Sequence, residues 1–168
     1  MPYVLLQQVS SKFAKSNAGK TLDHPVALKY LKQVASTEDF DRISQKFTDG
    51  KAFFWGAKLE RGHQIGKMLP KQTLVLFRRG RRVFRLGVIA ELMFSIELAE
   101  RLWGRDTDGE TWAIIYAMSK VRDVSIDTGA INELIGRKMN DNWQGMTAVE
   151  GERAERVIAY VKRQLDVA

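Results

Sequence analysis

The sequence predicts an α+β domain in which a small, strongly curved sheet is flanked by helices. Strand-like runs rich in aromatic and β-branched residues concentrate between residues 51 and 126, and helical periodicity lies before, between and after them. Elements in this order are typical of helices packed around an antiparallel or mixed sheet. The chain has 168 residues and no convincing linker, so we predict one domain, with a helical lead-in over 1–49 and the sheet and C-terminal helices over 50–168.

The lead-in predicts an ordered edge, a loop and two helices. Residues 1–24 have weak periodicity and a polar, turn-prone centre, so we expect an ordered edge and then a flexible loop over 15–24. Pro25 suits the first turn of a helix through VALKYLKQVA. Ser36 and Asp39 have the spacing of a capping box, which predicts a second helix to about Phe47.

The middle of the chain predicts a strand, a hairpin and a capped helix. AFFWGAKL is typical of a strand, and ERGHQIGKML predicts a short helix or loop that Pro70 ends. TLVLF and RRVFRLGVIAEL predict a hairpin around Gly80, and Gly87 predicts a bulge or a tight corner. Ser95 is placed to cap a helix, IELAERLW, which Gly104 ends.

The last third predicts a strand and two helices. TWAIIYAMSKVRDVSI alternates as a half-buried strand does, with a break at Ser119 and Lys120. TGAINELIG predicts a short helix closed by Gly136. Thr147 is placed to cap the final helix, AVEGERAERVIAYVKRQL, which carries one apolar stripe.

Charge and composition favour a polyanionic partner. Lys and Arg number 27 against 20 Asp and Glu, a net charge of +7, and each cation that neutralises a phosphate releases condensed counterions. The absence of cysteine excludes disulfides, thiol nucleophiles and cysteine zinc sites. The N-terminus lacks a basic region ahead of its apolar residues, and the longest apolar runs contain Glu91 and Glu97. We therefore expect a cytoplasmic protein with no membrane partner.

Neither a catalytic apparatus nor a cofactor site is expected from the motifs. His24 and His63 are the only histidines and do not have a metal-ligand spacing, and no phosphate-binding or nucleophile motif occurs. The acidic turn with Asp106, Asp108 and Glu110 has carboxylates that a divalent ion could bind, but a solvated turn is favoured. A metal-dependent enzyme acting on nucleic acid is the weaker alternative.

The arginine-rich hairpin predicts contact with nucleic acid. Dense like charges repel one another, and a phosphate backbone relieves that repulsion. Lys58 precedes the hairpin and adds a further cation. The predicted phosphate-binding residues are Arg78, Arg79, Arg81, Arg82 and Lys58.

The order of motifs resembles a known superfamily. A strand with Trp-Gly, a hairpin containing GVIAEL, an LWG loop after a helix, and the TWAIIYAMSKVR strand resemble the EVE and YTH-like branch of the PUA superfamily. Over about residues 50–160 the chain is similar to the N-terminal specificity domains of modification-dependent restriction systems, either McrB-type motor proteins or related HNH nucleases. The resemblance implies a PUA-like curved β-barrel flanked by helices, and a nuclease or motor domain on the same parent chain or on a partner.

The resemblance also implies how the ligand is bound. A methylated base, methyladenine included, would be flipped into an aromatic cage formed by Trp55 and Trp103, with Trp112 near a third wall. Modified DNA is favoured over RNA as the partner, and an RNA-binding PUA or ASCH-like module is the alternative. The polar residue that reads the base edge is open, with six candidates: Asn140, Asp141, Asn142, Gln144, Ser95 and Lys58.

Overall fold

The computed structural model of the protein describes residues 2–61 and 72–167 and confirms the α+β class. The strands of these residues are β1 Tyr3–Gln8, β2 Val26–Ala27, β3 Lys51–Ala57, β4 Leu74–Arg79, β5 Arg82–Phe94, β6 Ile114–Asp127 and β7 Met146–Glu150. The α-helices are α1 Lys12–Thr21, α2 Thr37–Lys46, α3 Ile96–Trp103, α4 Thr128–Leu134 and α5 Gly151–Val167, and 3-10 turns cover Leu28–Leu31 and Leu59–Arg61. Most of the ERGHQIGKML segment lies outside the described residues.

The chain forms two compact units. Unit 1 consists of the described residues of Met1–Ser10, Thr73–Val88 and Lys120–Ala168. Its strands follow the order β7-β1-β4-β5-β6, and it contains only residues 82–88 of β5 and 120–127 of β6. Strand β1 is parallel to β4 and antiparallel to β7. The core of unit 1 is formed by Val4, Leu6, Leu76, Val83, Leu86, Ile126, Ile131, Ile135, Trp143, Val149, Ala154, Val157 and Val161.

Unit 2 consists of the described residues of Ser11–Gln72 and Ile89–Ser119. Its strands follow the order β2-β3-β6-β5, and it contains only residues 89–94 of β5 and 114–119 of β6. Strand β3 is antiparallel to both β2 and β6. Helices α1, α2 and α3 belong to this unit. Its core is formed by Leu28, Leu31, Ile43, Phe47, Ala52, Phe54, Met93, Leu98, Ala99, Leu102, Trp103, Ile115 and Ala117.

Several predicted element ends are confirmed by their capping interactions. The hydroxyls of Ser36 and Ser95 each accept a hydrogen bond from the backbone N–H three residues later, which satisfies one orphan donor of α2 and of α3. Gly80 joins β4 to β5 with φ 62°, as the predicted hairpin requires. Strand β6 continues through the predicted break, but Lys120 within it has φ 53°, so the interruption is a single left-handed residue.

Two predictions for the first fifty residues are wrong. The predicted loop is helix α1, which Ser11 caps and which buries Asn17, Ala18 and Thr21. These small or polar residues form no hydrophobic stripe, so the sequence carries little helical signal there. The predicted helix after Pro25 is instead the short strand β2 and a 3-10 turn, because apolar residues three apart, such as Leu28 and Leu31, suit a 3-10 turn equally well.

The bulge predicted at Gly87 and the helix cap predicted at Thr147 are also wrong. Gly87 pairs regularly with Val75, and the register shift lies between Phe77 and Arg78, because Phe77 pairs with Arg85 and Arg78 with Val83. Thr147 lies in strand β7, where it pairs with Leu6. Helix α5 therefore begins only at Gly151.

None of the helices in the described residues combines the length and the apolar character needed to cross a bilayer.

Candidate nucleic-acid interface

The tip of the β4–β5 hairpin exposes three arginines, Arg79, Arg81 and Arg82. The Arg79 guanidinium lies 4.3 Å from the centroid of the Phe84 ring. Arg82 donates to the hydroxyl of Ser125 at 3.0 Å and to its carbonyl oxygen at 3.1 Å. Within residues 2–61 and 72–167, none of the three arginines is ion-paired with a carboxylate. The hairpin tip, defined as Arg79–Arg82, therefore carries positive charge that the described residues do not neutralise.

Arg78 differs from these arginines because its side chain is used inside unit 1. It is only 7% exposed, and it donates to the carbonyl oxygens of Gly80 at 2.8 Å and Asp141 at 2.5 Å. Its guanidinium lies 5.4 Å from the ring centroid of Trp143. Burial lowers the pKa of Arg78 below its ordinary value. Arg78 thus ties the hairpin to the loop that carries Asp141 and Trp143.

Lys58 is held by the acidic turn. Its Nζ lies 2.5 Å from Asp106 Oδ2 and 3.2 Å from Glu110 Oε2. The hydrogen bond with Asp106 raises the pKa of Lys58, and the same bond lowers the pKa of Asp106. The other carboxylate oxygen of Asp106 accepts from the backbone N–H groups of Asp108 and Glu110, so this carboxylate organises its own turn. The described part of the chain contains no group of three or more His, Asp or Glu positioned to hold a metal ion.

Trp103, a predicted cage residue, is anchored in unit 2. Its indole Nε1 donates to the Thr21 hydroxyl at 3.0 Å, and that hydroxyl donates to the Phe54 carbonyl oxygen at 2.7 Å. Gly56 makes room for the ring, because a Cβ there would lie 2.6 Å from Trp103 Cζ3. The residue is only 5% exposed.

Trp112, predicted to lie near a third wall of the cage, packs against Trp103 but stays partly exposed. The two ring centroids are 6.5 Å apart and the ring planes meet at 82°. The centroid of the Phe13 ring of α1 also lies 6.3 Å from that of Trp112, and the two ring planes are tilted by 47°. Sequence reasoning missed Phe13, because α1 itself was predicted as a loop.

Trp55 points away from these rings. It follows Phe54 and precedes Gly56 on β3, and successive strand side chains point to opposite faces. Gly56 faces Trp103, so Trp55 faces the other side, where it pairs in register with Tyr116. Trp55 is 6% exposed, and burial raises the pKa of the Tyr116 hydroxyl well above its ordinary value. The structure thus brings together Trp103 and Trp112 but not Trp55.

The polar loop around Trp143 encloses a core residue. Trp143 is fully buried and its indole N–H donates to Asn132 Oδ1 at 2.6 Å. The Asn132 amide in turn donates to the carbonyl oxygens of Met139 and Asp141. Asp141 accepts from the Trp143 backbone N–H, which lowers the pKa of this carboxyl. Of the candidate edge-reading residues in this loop, Asn140, Asn142 and Gln144 are exposed.

Comparison with known proteins gives a match in fold. No family model and no curated protein matches the chain. The solved N-terminal domain of Thermococcus gammatolerans McrB bound to m5C DNA is similar, with a TM-score of 0.71, 19% sequence identity, and coverage of 95% of this chain and 97% of that one. The predicted likeness to McrB N-terminal domains is therefore confirmed at the level of the fold.

Proposed function

We propose that this protein is a non-catalytic reader that binds DNA through a modified base. The observation that carries the proposal is the fold shared with a McrB domain whose structure holds m5C DNA, over nearly the whole of both chains. The net charge of +7 fits a polyanionic partner. In this function, cleavage of the DNA belongs to a nuclease or motor, on the same parent chain or on a partner.

We infer that the hairpin tip holds the phosphate backbone. Arg79, Arg81 and Arg82 are exposed, and arginine presents a planar fork of donors that matches phosphate oxygens. The contacts with Phe84 and Ser125 restrict two of the three side chains before DNA arrives, which lowers the entropy lost on binding. Arg78 and Lys58 are already engaged by groups of the protein, so they contribute less to this surface.

Base flipping into the cage of Trp55, Trp103 and Trp112 stays a prediction. Trp112 supports it best, because its ring is partly exposed and a base can stack on it directly. Trp55 and Trp103 are 6% and 5% exposed, so stacking on either ring requires a rearrangement of their neighbours. We therefore expect Trp112 to contribute more to base stacking than Trp55 or Trp103.

Binding to matched oligonucleotides tests the function. We expect a duplex with one m5C or one methyladenine to bind more tightly than the unmodified duplex of the same sequence, because a buried methyl adds about 0.8 kcal/mol and its enclosure excludes water. Titrations by fluorescence anisotropy should include the RNA counterpart of each strand. Equal affinity for modified and unmodified duplexes contradicts the proposal, and tighter binding of RNA favours an RNA-binding module. Cleavage of DNA by the purified chain with a divalent ion would instead indicate an enzyme.

The double variant Arg79→Ala with Arg81→Ala should weaken binding to modified and unmodified DNA alike. Loss of two phosphate contacts should reduce the slope of log affinity against log salt by about two. Titration at several salt concentrations measures that slope.

A matched control removes the same number of charges elsewhere. Lys162 and Arg163 are exposed on α5, and replacing both with alanine should leave the salt slope close to that of the wild type. If the α5 variant and the hairpin variant lose the same affinity, net charge alone explains the binding and the hairpin tip is not the phosphate site.

A further inference from the structure

We propose that Phe13 of α1 and Trp112 form a stacking platform for an unpaired base, and that Lys20, on the same stripe of α1 as Phe13, holds a phosphate of the same strand. The proposal rests on the proposed function in taking DNA as the ligand, and it adds to Trp112 a contact surface on α1 that the motifs did not indicate. It is argued from two neighbouring rings, one exposed and one partly exposed, and from a helix that carries three lysines and no acidic residue.

The two rings are preorganised. Phe13 leaves 37% of its surface exposed, although a phenylalanine on a helix normally faces a core. Its ring lies 6.3 Å from that of Trp112, which is partly exposed itself. Trp112 is braced by the perpendicular ring of Trp103, which Thr21 anchors in turn. A base that stacks here therefore meets an aromatic surface whose position is already set, and little ordering is needed.

The charge of α1 fits a phosphate backbone. The helix carries Lys12, Lys15 and Lys20, all exposed, and the sequence KFAKSNAGKT contains no acidic residue. Phe13 and Lys20 are seven residues apart and so lie on one stripe of the helix, with a rise of about 10 Å between them. Aromatic rings next to such cations are the combination with which proteins bind single-stranded nucleic acid.

The rings beside the lysines favour a nucleic acid over an acidic peptide. An acidic peptide would satisfy the lysines but would gain little from Phe13, whereas a nucleotide uses the rings and the cations together. We therefore expect the ligand of the platform to be an unpaired nucleotide.

The experiment uses a single-stranded oligothymidylate of about ten nucleotides, within the range of such sites. Phe13→Ala should weaken its binding roughly 5- to 150-fold, the loss that corresponds to one stacked base. Phe13→Leu keeps an apolar side chain of similar size but lacks the π face, and should weaken binding as well. Phe13→Trp keeps an aromatic ring and should retain the affinity of the wild type for oligothymidylate. Circular dichroism of each variant verifies that the fold is kept.

Tyr30 provides a matched control. It is exposed by 58%, and Lys29 lies 5.3 Å from its ring centroid, so it is another aromatic residue with a lysine beside it in unit 2. Tyr30→Ala should bind oligothymidylate as the wild type does. Four results overturn the platform: no binding of oligothymidylate by the wild type, unchanged binding by Phe13→Ala, an equal loss in Tyr30→Ala, or tighter binding of polyglutamate than of oligothymidylate.

Failure of the platform and failure of the reader function are distinguishable. If the m5C and unmodified duplexes bind equally while oligothymidylate binding still depends on Phe13, the reader proposal fails and the platform stands. If the m5C duplex is preferred and Phe13→Ala changes nothing, the reader stands and the platform fails.

Discussion

Replacing Trp143 with alanine is expected to lower the free energy of unfolding by about 3–5 kcal/mol, the usual cost of removing a large aromatic side chain from a core. Trp143 is fully buried in unit 1 and has the largest volume among the fully buried side chains of the described residues. The change also leaves Asn132 Oδ1 without its indole donor and removes the ring beside Arg78. Urea denaturation followed by circular dichroism measures the loss.

Trp143→Phe separates packing from hydrogen bonding. The phenylalanine fills much of the space but has no N–H for Asn132, so we expect a loss of about 1–3 kcal/mol, the cost of a buried polar atom without a partner. A total loss below about 1 kcal/mol for Trp143→Ala would mean that this loop does not close over the ring.

Trp103→Ala is expected to cost a similar amount, about 3–5 kcal/mol. The ring occupies the space above Gly56, and its loss also leaves the Thr21 hydroxyl with one partner fewer. Trp112→Ala should cost less, because its ring is already partly exposed. Denaturation of the two variants under identical conditions gives the comparison.

The expected loss of stability limits how the role of Trp103 in the cage can be tested. DNA binding by Trp103→Ala should be measured without denaturant and at a temperature at which the variant is folded, because an unfolded variant loses binding for an unrelated reason. Should Trp103→Ala prove as stable as the wild type, Trp103 would be dispensable to the core, and a role in ligand binding would gain support.

Local chemistry explains which parts of the fold were predictable. Ser36 and Ser95 cap their helices through atoms three residues away, and Gly80 turns a hairpin whose strands adjoin it, so short sequence windows contain the necessary information. Helix α1 was missed because its buried face is made of Asn17, Ala18 and Thr21, which resemble a loop in composition. Its burial is decided by residues distant in sequence, such as Phe54, which accepts a hydrogen bond from Thr21.

The candidate site was predictable to a similar degree. A run of arginines is visible in any sequence, but which of them is free depends on tertiary partners: Asp141 accepts from Arg78, more than sixty residues away. The alternation of a strand places Phe54 and Trp55 of AFFWG on opposite faces, and Phe54 is in the core of unit 2. That Trp103 lies on the same side as Gly56 depends on Thr21, which carries no recognisable motif.

The pairing of β1 affects how the chain reaches its fold. In unit 1, Leu5 pairs with Val75 on one side and with Ala148 on the other, so strands from three distant parts of the sequence must meet. Closing loops of this length loses chain entropy before the contacts repay it, and such non-local pairings slow folding. In unit 2 the pairing of β3 with β6 joins Phe54 to Ala117, which are less than half as far apart in sequence as Leu5 and Ala148. The search for native contacts is therefore longest where β1 inserts between β4 and β7.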